Sequence, residues 1–194
     1  MRDAASRIRI LVHTTLFGAL WGLLEMLLGG YFHMIKFPLT GAAMAAVGAV
    51  ILCASRLQAD RPGATIAAGA VAVAIKLLGI GAFKIGPVAG IAIESLLLEA
   101  VLSVFGCGQG QFIAGCLLAC LEGIPHFFLT NWLLYGRGIF STYLEAARQM
   151  QAFFSLPDGF WKAVVAVWAG AHVVLGLTAG AVAAALARRT RRVG

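Results

Sequence analysis

Between Ala64 and Phe105 the chain carries only four charged side chains, Lys76, Lys84, Glu94 and Glu99. Runs of this kind recur from one end to the other, at about 8–28, 39–54, 64–83, 88–105, 111–135 and 160–187. A helix that crosses a bilayer needs about 20 mainly apolar residues, and these runs approach or exceed that length. Composition agrees: of 194 residues, 61% are apolar and 12% charged, against about 45–50% and about 25% in soluble domains. So much apolar surface cannot be hidden in one core of this size, which excludes a soluble globular enzyme, and a disordered chain with it. The expectation is a single all-α membrane domain over residues 1–194, polytopic, with six transmembrane helices. Arg2, Arg7 and Arg9 precede the first run as in a signal peptide. The run is too long for a signal core and lacks a small-x-small cleavage site, so a retained helix is expected.

Six crossings put both termini on one side. With the termini cytoplasmic, the inner segments hold nine arginines: Arg2, Arg7, Arg9, Arg56, Arg61 and the four after Ala187. The outer segments hold five basic residues, Lys36, Lys84, Arg137, Arg148 and Lys162. That imbalance predicts a multi-pass protein of the cell membrane with both ends inside. The net charge of +7 is then a topology signal, and the arginine tail suits anionic lipid rather than nucleic acid. The long connection between the fifth and sixth runs repeats Tyr143, Ala147, Met150 and Phe154 at helical spacing, with Phe140 and Leu144 beside them. Thr142-Tyr-Leu-Glu145 fits a capping box for its start, while Glu145, Arg148 and Gln149 mark a polar face. An amphipathic helix at the outer interface is expected, either an anchor or a lid over an outward-facing pocket.

Ionisable groups inside a span cost several kcal/mol unless they face protein or water. Here most gather in the outer half, with Glu25, Lys76, Glu94 and His126 towards the outer side and Glu99, Glu122 and His172 near the middle. Glu122 and His126 are four residues apart and share a helix face, with Pro125 loosening the helix between them. Asn131, Trp132 and Tyr135 follow towards the exit, beside Phe127 and Phe128. Carboxylate, imidazole, carboxamide and rings together suit a flat, hydrogen-bonding, partly cationic ligand. The bland alternative pairs Glu122 with Lys76 or His172 and makes the rings an interfacial belt. Glu94 lies near Lys84 and Gly86-Pro87 and reads as a ligand contact, whereas Glu99 is expected to pair with Lys76. The segment Gly29 to Pro38, with His33 and Lys36, reads as a glycine-hinged loop able to close on a ligand.

The four histidines and four cysteines show neither His-x-x-x-His nor Cys-x-x-Cys spacing, so no metal is expected. Cys116 and Cys120 share a face and read as small packing residues. No nucleophile elbow, phosphate loop, dinucleotide fingerprint or ATP-binding motif is present, and no cofactor is expected. Small-xxx-small faces occur at Gly18 and Gly22, at Gly41, Ala45 and Ala49, and at Gly176, Gly180 and Ala184. Such faces let helices approach closely in lipid, and one left outward on the first span would dock a partner.

With these features the chain resembles the substrate-binding S components of energy-coupling factor (ECF) vitamin transporters. The resemblance rests on size, six short spans, both ends inside and a polar region in the outer half. It implies a membrane subunit that captures a small water-soluble vitamin or precursor and works with a T component and two ATPase subunits. It places Gly18 and Gly22 of Phe17-Gly-Ala-Leu-Trp-Gly22 at the T component, where the family commonly has alanines. It places the ligand among Gly86-Pro87 to Glu94, Glu122 to Tyr135 and Tyr31 to Lys36. A chain beginning Met1-Arg2 lacks the Met-His start of the family's metal-uptake branch. The expected binding residues are therefore Glu94, Glu122, His126, Asn131, Trp132, Tyr135, His33 and Lys84, in a chain that is not itself an enzyme. Two other readings stand beside this one, a membrane scaffold without a ligand and an intramembrane enzyme using Glu122 and His126.

Overall fold

The computed structural model describes residues 2–35, 37, 39–79 and 85–193, with side chains for all of these except 2–7, 9, 33, 150 and 191–193. Among the described residues the chain is helical, without strands. Helix α1 (Arg2–Leu24) passes through one π turn (Glu25–Gly29) into a short α2 (Gly30–Met34). Then follow α3 (Thr40–Ala59), α4 (Ala64–Leu78), α5 (Ile85–Val104), α6 (Gln109–Tyr135), α7 (Gly138–Phe153) and α8 (Phe160–Val193). Five stretches are long and apolar enough to cross a membrane: Ile10–Phe32, Thr40–Ala59, Ile85–Val104, Gln109–Tyr135 and Phe160–Thr190. Of the six expected spans, α4 falls short: its helix stops at Leu78, where Gly79 turns extended (ψ 158°). Large apolar side chains point outward all around the bundle, among them Leu11, Leu27, Val104 and Val167, each at least 66% exposed. A surface of that kind belongs in lipid rather than water.

The helices alternate in direction. Gly18 and Gly22 of α1 lie in step against Ala68, Val71, Ala72 and Ile75 of α4, so these two run parallel. Gly48 of α3 meets Trp21, Ser95 of α5 meets Gly69, and Leu98 meets Gly115 of α6. Gly176 and Gly180 of α8 sit on Leu117 and Ile113 of α6. A methyl group at Gly18, Gly48 or Gly180 would overlap the neighbouring helix, the close approach that small residues permit where no hydrophobic force draws helices together. The glycines of α1 expected at a partner-docking face are therefore covered from within the chain. The first α1 residue, the last of α8 and the α3–α4 turn share one end of the bundle; α2, α7 and the start of α5 share the other.

Three local expectations are corrected. Gly29 to Met34 is helix rather than loop, because an extra residue in the π turn keeps the chain winding. Thr142 is not a cap, since α7 already starts at Gly138 and the Thr142 hydroxyl donates back to the Gly138 carbonyl (3.2 Å). Gly86-Pro87, left by the expected runs 64–83 and 88–105 as part of their connection, lies in the first turn of α5, where a proline has no hydrogen bond to lose. At the end of α6, Gly136 takes φ +74°, a conformation that strains any side chain with a Cβ. The expected polar face of α7 is seen, with Glu145, Arg148 and Gln149 exposed.

The end holding the termini is tied by a buried knot. The Glu99 carboxylate accepts hydrogen bonds from the Gly63 and Thr65 amides (2.8 and 3.0 Å) and from the Thr65 and Ser103 hydroxyls. Arg56 Nε approaches it to 3.7 Å. Glu99 thus caps the N-terminus of α4, meeting its orphan N–H groups and positive dipole end. Its expected partner, Lys76, lies elsewhere, against Glu25. Depth counted along a helix did not reveal this, because the α3–α4 turn folds Gly63 back over α5. Cys53 and Cys116 are buried side by side in the core, Sγ to Sγ 3.7 Å.

Candidate functional site

At the opposite end, α1, α3, α5, α6 and α8 diverge around a cavity of about 660 Å³, with α7 across its side. This volume is typical of a small-molecule site, where apolar walls carry a few convergent polar groups. Helix α6 contributes most. Glu122 and His126, one turn apart, are joined Nδ1 to Oε1 at 2.9 Å, and both side chains are largely buried. The carboxylate accepts a hydrogen bond from Nδ1–H, fixing the ring so that Nε2 looks towards α5. There Gly86 and Gly90 leave the room: a Cβ at Gly86 would lie 3.9 Å from His126 Nε2. One at Gly90 would lie 3.8 Å from both His126 Cε1 and Glu94 Oε1. The acid on α5 and the imidazole on α6 thus meet across a strip without side chains.

Glu25 reaches the cavity from the π turn. Its carboxylate stands 3.7 Å from Lys76 Nζ, and the same ammonium donates to the Glu25 carbonyl at 3.0 Å. Lys76 thus meets both the main chain and the carboxylate of the π-turn residue Glu25. Gly29 leaves room for the carboxylate in this position, since a Cβ there would stand 2.5 Å from Glu25 Oε2. Glu94, by contrast, is 9% exposed, lines the cavity, and has no hydrogen-bond or ion-pair partner among the described residues.

The far wall is aromatic. Trp168 of α8 packs edge-on to Phe127 (5.6 Å between centroids) and Phe128 (6.5 Å) of α6, and against His172 (4.5 Å). His172 Nδ1 donates to the Trp168 carbonyl at 2.9 Å, which directs Nε2 towards Gly123. Tyr143 of α7 stacks on Phe127 and donates its hydroxyl to Asn131 Oδ1 at 2.9 Å. Asn131 in turn donates to the Phe127 carbonyl. This latch, with Phe140 against Phe128, fastens α7 to the cavity mouth.

The structure brings together four of the expected binding residues, Glu94, Glu122, His126 and Asn131. Trp132 and Tyr135 do not join them: both point outward, 43% and 60% exposed. One residue beyond Asn131 is a rotation of about 100° about the helix, enough to swing Trp132 away from the cavity. Lys84, with Lys36, lies outside the described residues, as does the side chain of His33. Glu122 pairs with His126, not with Lys76 or His172. Trp168, Tyr143 and Thr40 line the cavity without having been singled out as binding residues. Among the described residues no three His, Cys, Asp or Glu side chains converge to hold a metal ion.

Compared with known proteins, the chain matches no family model, no curated protein and no solved structure.

Proposed function

We propose that this chain is a membrane-embedded binding subunit that captures a small water-soluble compound of the vitamin or vitamin-precursor class for import. The reading follows the resemblance to S components, and one observation carries it: a cavity of about 660 Å³ in which Glu94, Glu122, His126 and Asn131 converge opposite an aromatic wall. Lipid-facing helices keep no such polar group without a use. In this reading the cavity opens outward, the arginine-rich termini lie inside, and a T component with two ATPase subunits supplies the energy. Binding residues are Glu94, Glu122, His126 and Asn131, with Trp168 and Tyr143 closing round the ligand.

Native mass spectrometry of the gently purified protein tests this directly, with a carried small molecule as the expected result. Glu122→Ala frees the His126 ring and weakens binding of that molecule at least tenfold, about 1.4 kcal/mol. Unchanged affinity overturns the site, and absence of any carried or exchangeable small molecule overturns the binding reading. The 2.9 Å Glu122–His126 pair also has the geometry of an oriented general base. Recovery of the bound molecule chemically unchanged separates capture from turnover.

A further inference from the structure

We propose that the cavity selects a monocation, a flat heterocycle carrying one positive charge, with Glu94 as its counter-ion. The inference rests on the reading of the cavity as a ligand site and adds the charge of what it takes. Three carboxylates reach the cavity, and two have their counter-charge or donor in place. Glu25 is matched by Lys76 at 3.7 Å, and Glu122 by the His126 ring at 2.9 Å. Glu94 remains, nine-tenths buried and without a partner among the described residues. An ionised carboxylate in such a place is costly unless a charge comes to it. A cationic ligand brings that charge, whereas a neutral one leaves the carboxylate without a counter-charge.

Two further observations agree. Among the described residues that line the cavity there is no lysine or arginine to compensate the phosphate or carboxylate of an anionic ligand. The wall facing the acids is built from Trp168, Phe127 and Phe128, whose ring faces attract a delocalised cation and stack on a flat one. The Gly86–Gly90 strip leaves Glu94 and His126 exposed to the same ligand edge. Glu122 is then a positioning residue that holds the imidazole, and Glu94 is the charge that discriminates.

Matched probes test the idea in detergent-solubilised protein by calorimetry: 1-methylnicotinamide against nicotinamide, and 1-methylquinolinium against quinoline. The cation of each pair is expected to bind at least tenfold tighter. Glu94→Gln, which keeps shape and removes charge, should reduce that preference to less than twofold, and Glu94→Ala repeats the measurement with the side chain removed. Asn131→Ala should weaken both members of a pair alike. Equal binding within pairs, tighter binding of the neutral members, or no binding by either cation overturns the proposal. So does a charge preference that survives both Glu94 substitutions. A neutral molecule carried by the purified protein overturns the charge assignment and leaves the binding reading standing; absence of any carried molecule overturns the binding reading itself.

Discussion

Removing the Glu99 carboxylate is the sharpest test of how the bundle is held together. In the wild type it accepts two backbone N–H groups at the start of α4 and two hydroxyls, and it faces Arg56, whose side chain is 7% exposed. Hydrogen bonds to a charged acceptor contribute about 1.5–3 kcal/mol each. Stranding one member of a buried ion pair costs roughly 3–5 kcal/mol. These contributions describe the same group and overlap, so Glu99→Ala is expected to lose about 3–5 kcal/mol rather than their sum. On soluble-domain scaling, at about 2–4 °C per kcal/mol for a chain of this length, that is roughly 6–20 °C in Tm. The assay is thermal and denaturant unfolding in detergent, followed by tryptophan fluorescence. Adding Arg56→Met should restore part of the loss, because the stranded charge is gone while the Gly63 and Thr65 amides stay unsatisfied. Ligand affinity at the opposite end should change less than threefold. Stability within about 1 kcal/mol of wild type, the size of one ordinary hydrogen bond, would refute the capping argument. A double variant no more stable than the single one would refute the part assigned to Arg56.

Three other substitutions probe different links. Gly29→Ala puts a Cβ 2.5 Å from Glu25 Oε2, the free end of a flexible side chain, so the carboxylate should swing away from Lys76 at a cost below about 1 kcal/mol, read as weakened ligand binding with little change in the unfolding midpoint. Tyr143→Phe removes the hydroxyl bound to Asn131; a loss of about 1 kcal/mol should speed amide exchange across 138–153 while α6 and α8 stay protected. Gly180→Leu, where even a Cβ overlaps Ile113, should separate α8 from α6 and abolish monodisperse behaviour on gel filtration, whereas Ala181→Leu on the exposed side of α8 should be tolerated.

The apolar helical class and five of the six expected spans were legible because lipid imposes one rule on every residue of a span, apolar side chains with backbone bonds closed inside the helix. Glu122 with His126 was legible for a similar reason, since a spacing of four fixes two side chains on one face whatever surrounds them. What depended on how helices are rotated against one another was not. Asn131 faces the cavity and Trp132 faces away, a difference of one helical step that a cluster of aromatic letters does not carry. Trp168 and Tyr143 enter the site only because α8 and α7 return to the flank of α6, contacts remote in sequence. The pairing of Lys76 with Glu25, and of Glu99 with Arg56, turns on the parallel packing of α1 with α4 and on the fold of the α3–α4 turn. The π turn at Glu25 has no letter pattern of its own, though Gly29 beside a membrane-depth acid is its trace.

Helix α4 has 15 residues, a rise of about 22 Å at about 1.5 Å each. A typical hydrocarbon core is about 30 Å thick. Its outer face, with Ile66, Leu77 and Leu78 each at least 40% exposed, nonetheless belongs among acyl chains. If α4 is the sixth span of the proposed membrane subunit, the bilayer thins or the protein tilts around this side of the bundle, at a cost of a fraction of a kcal/mol per Å of mismatch. That reading predicts a preference for thin membranes. Short-chain lipids should favour its upright state, and thick, sterol-like bilayers should press on the α1–α4 flank, where Glu25 and Lys76 hold one side of the cavity.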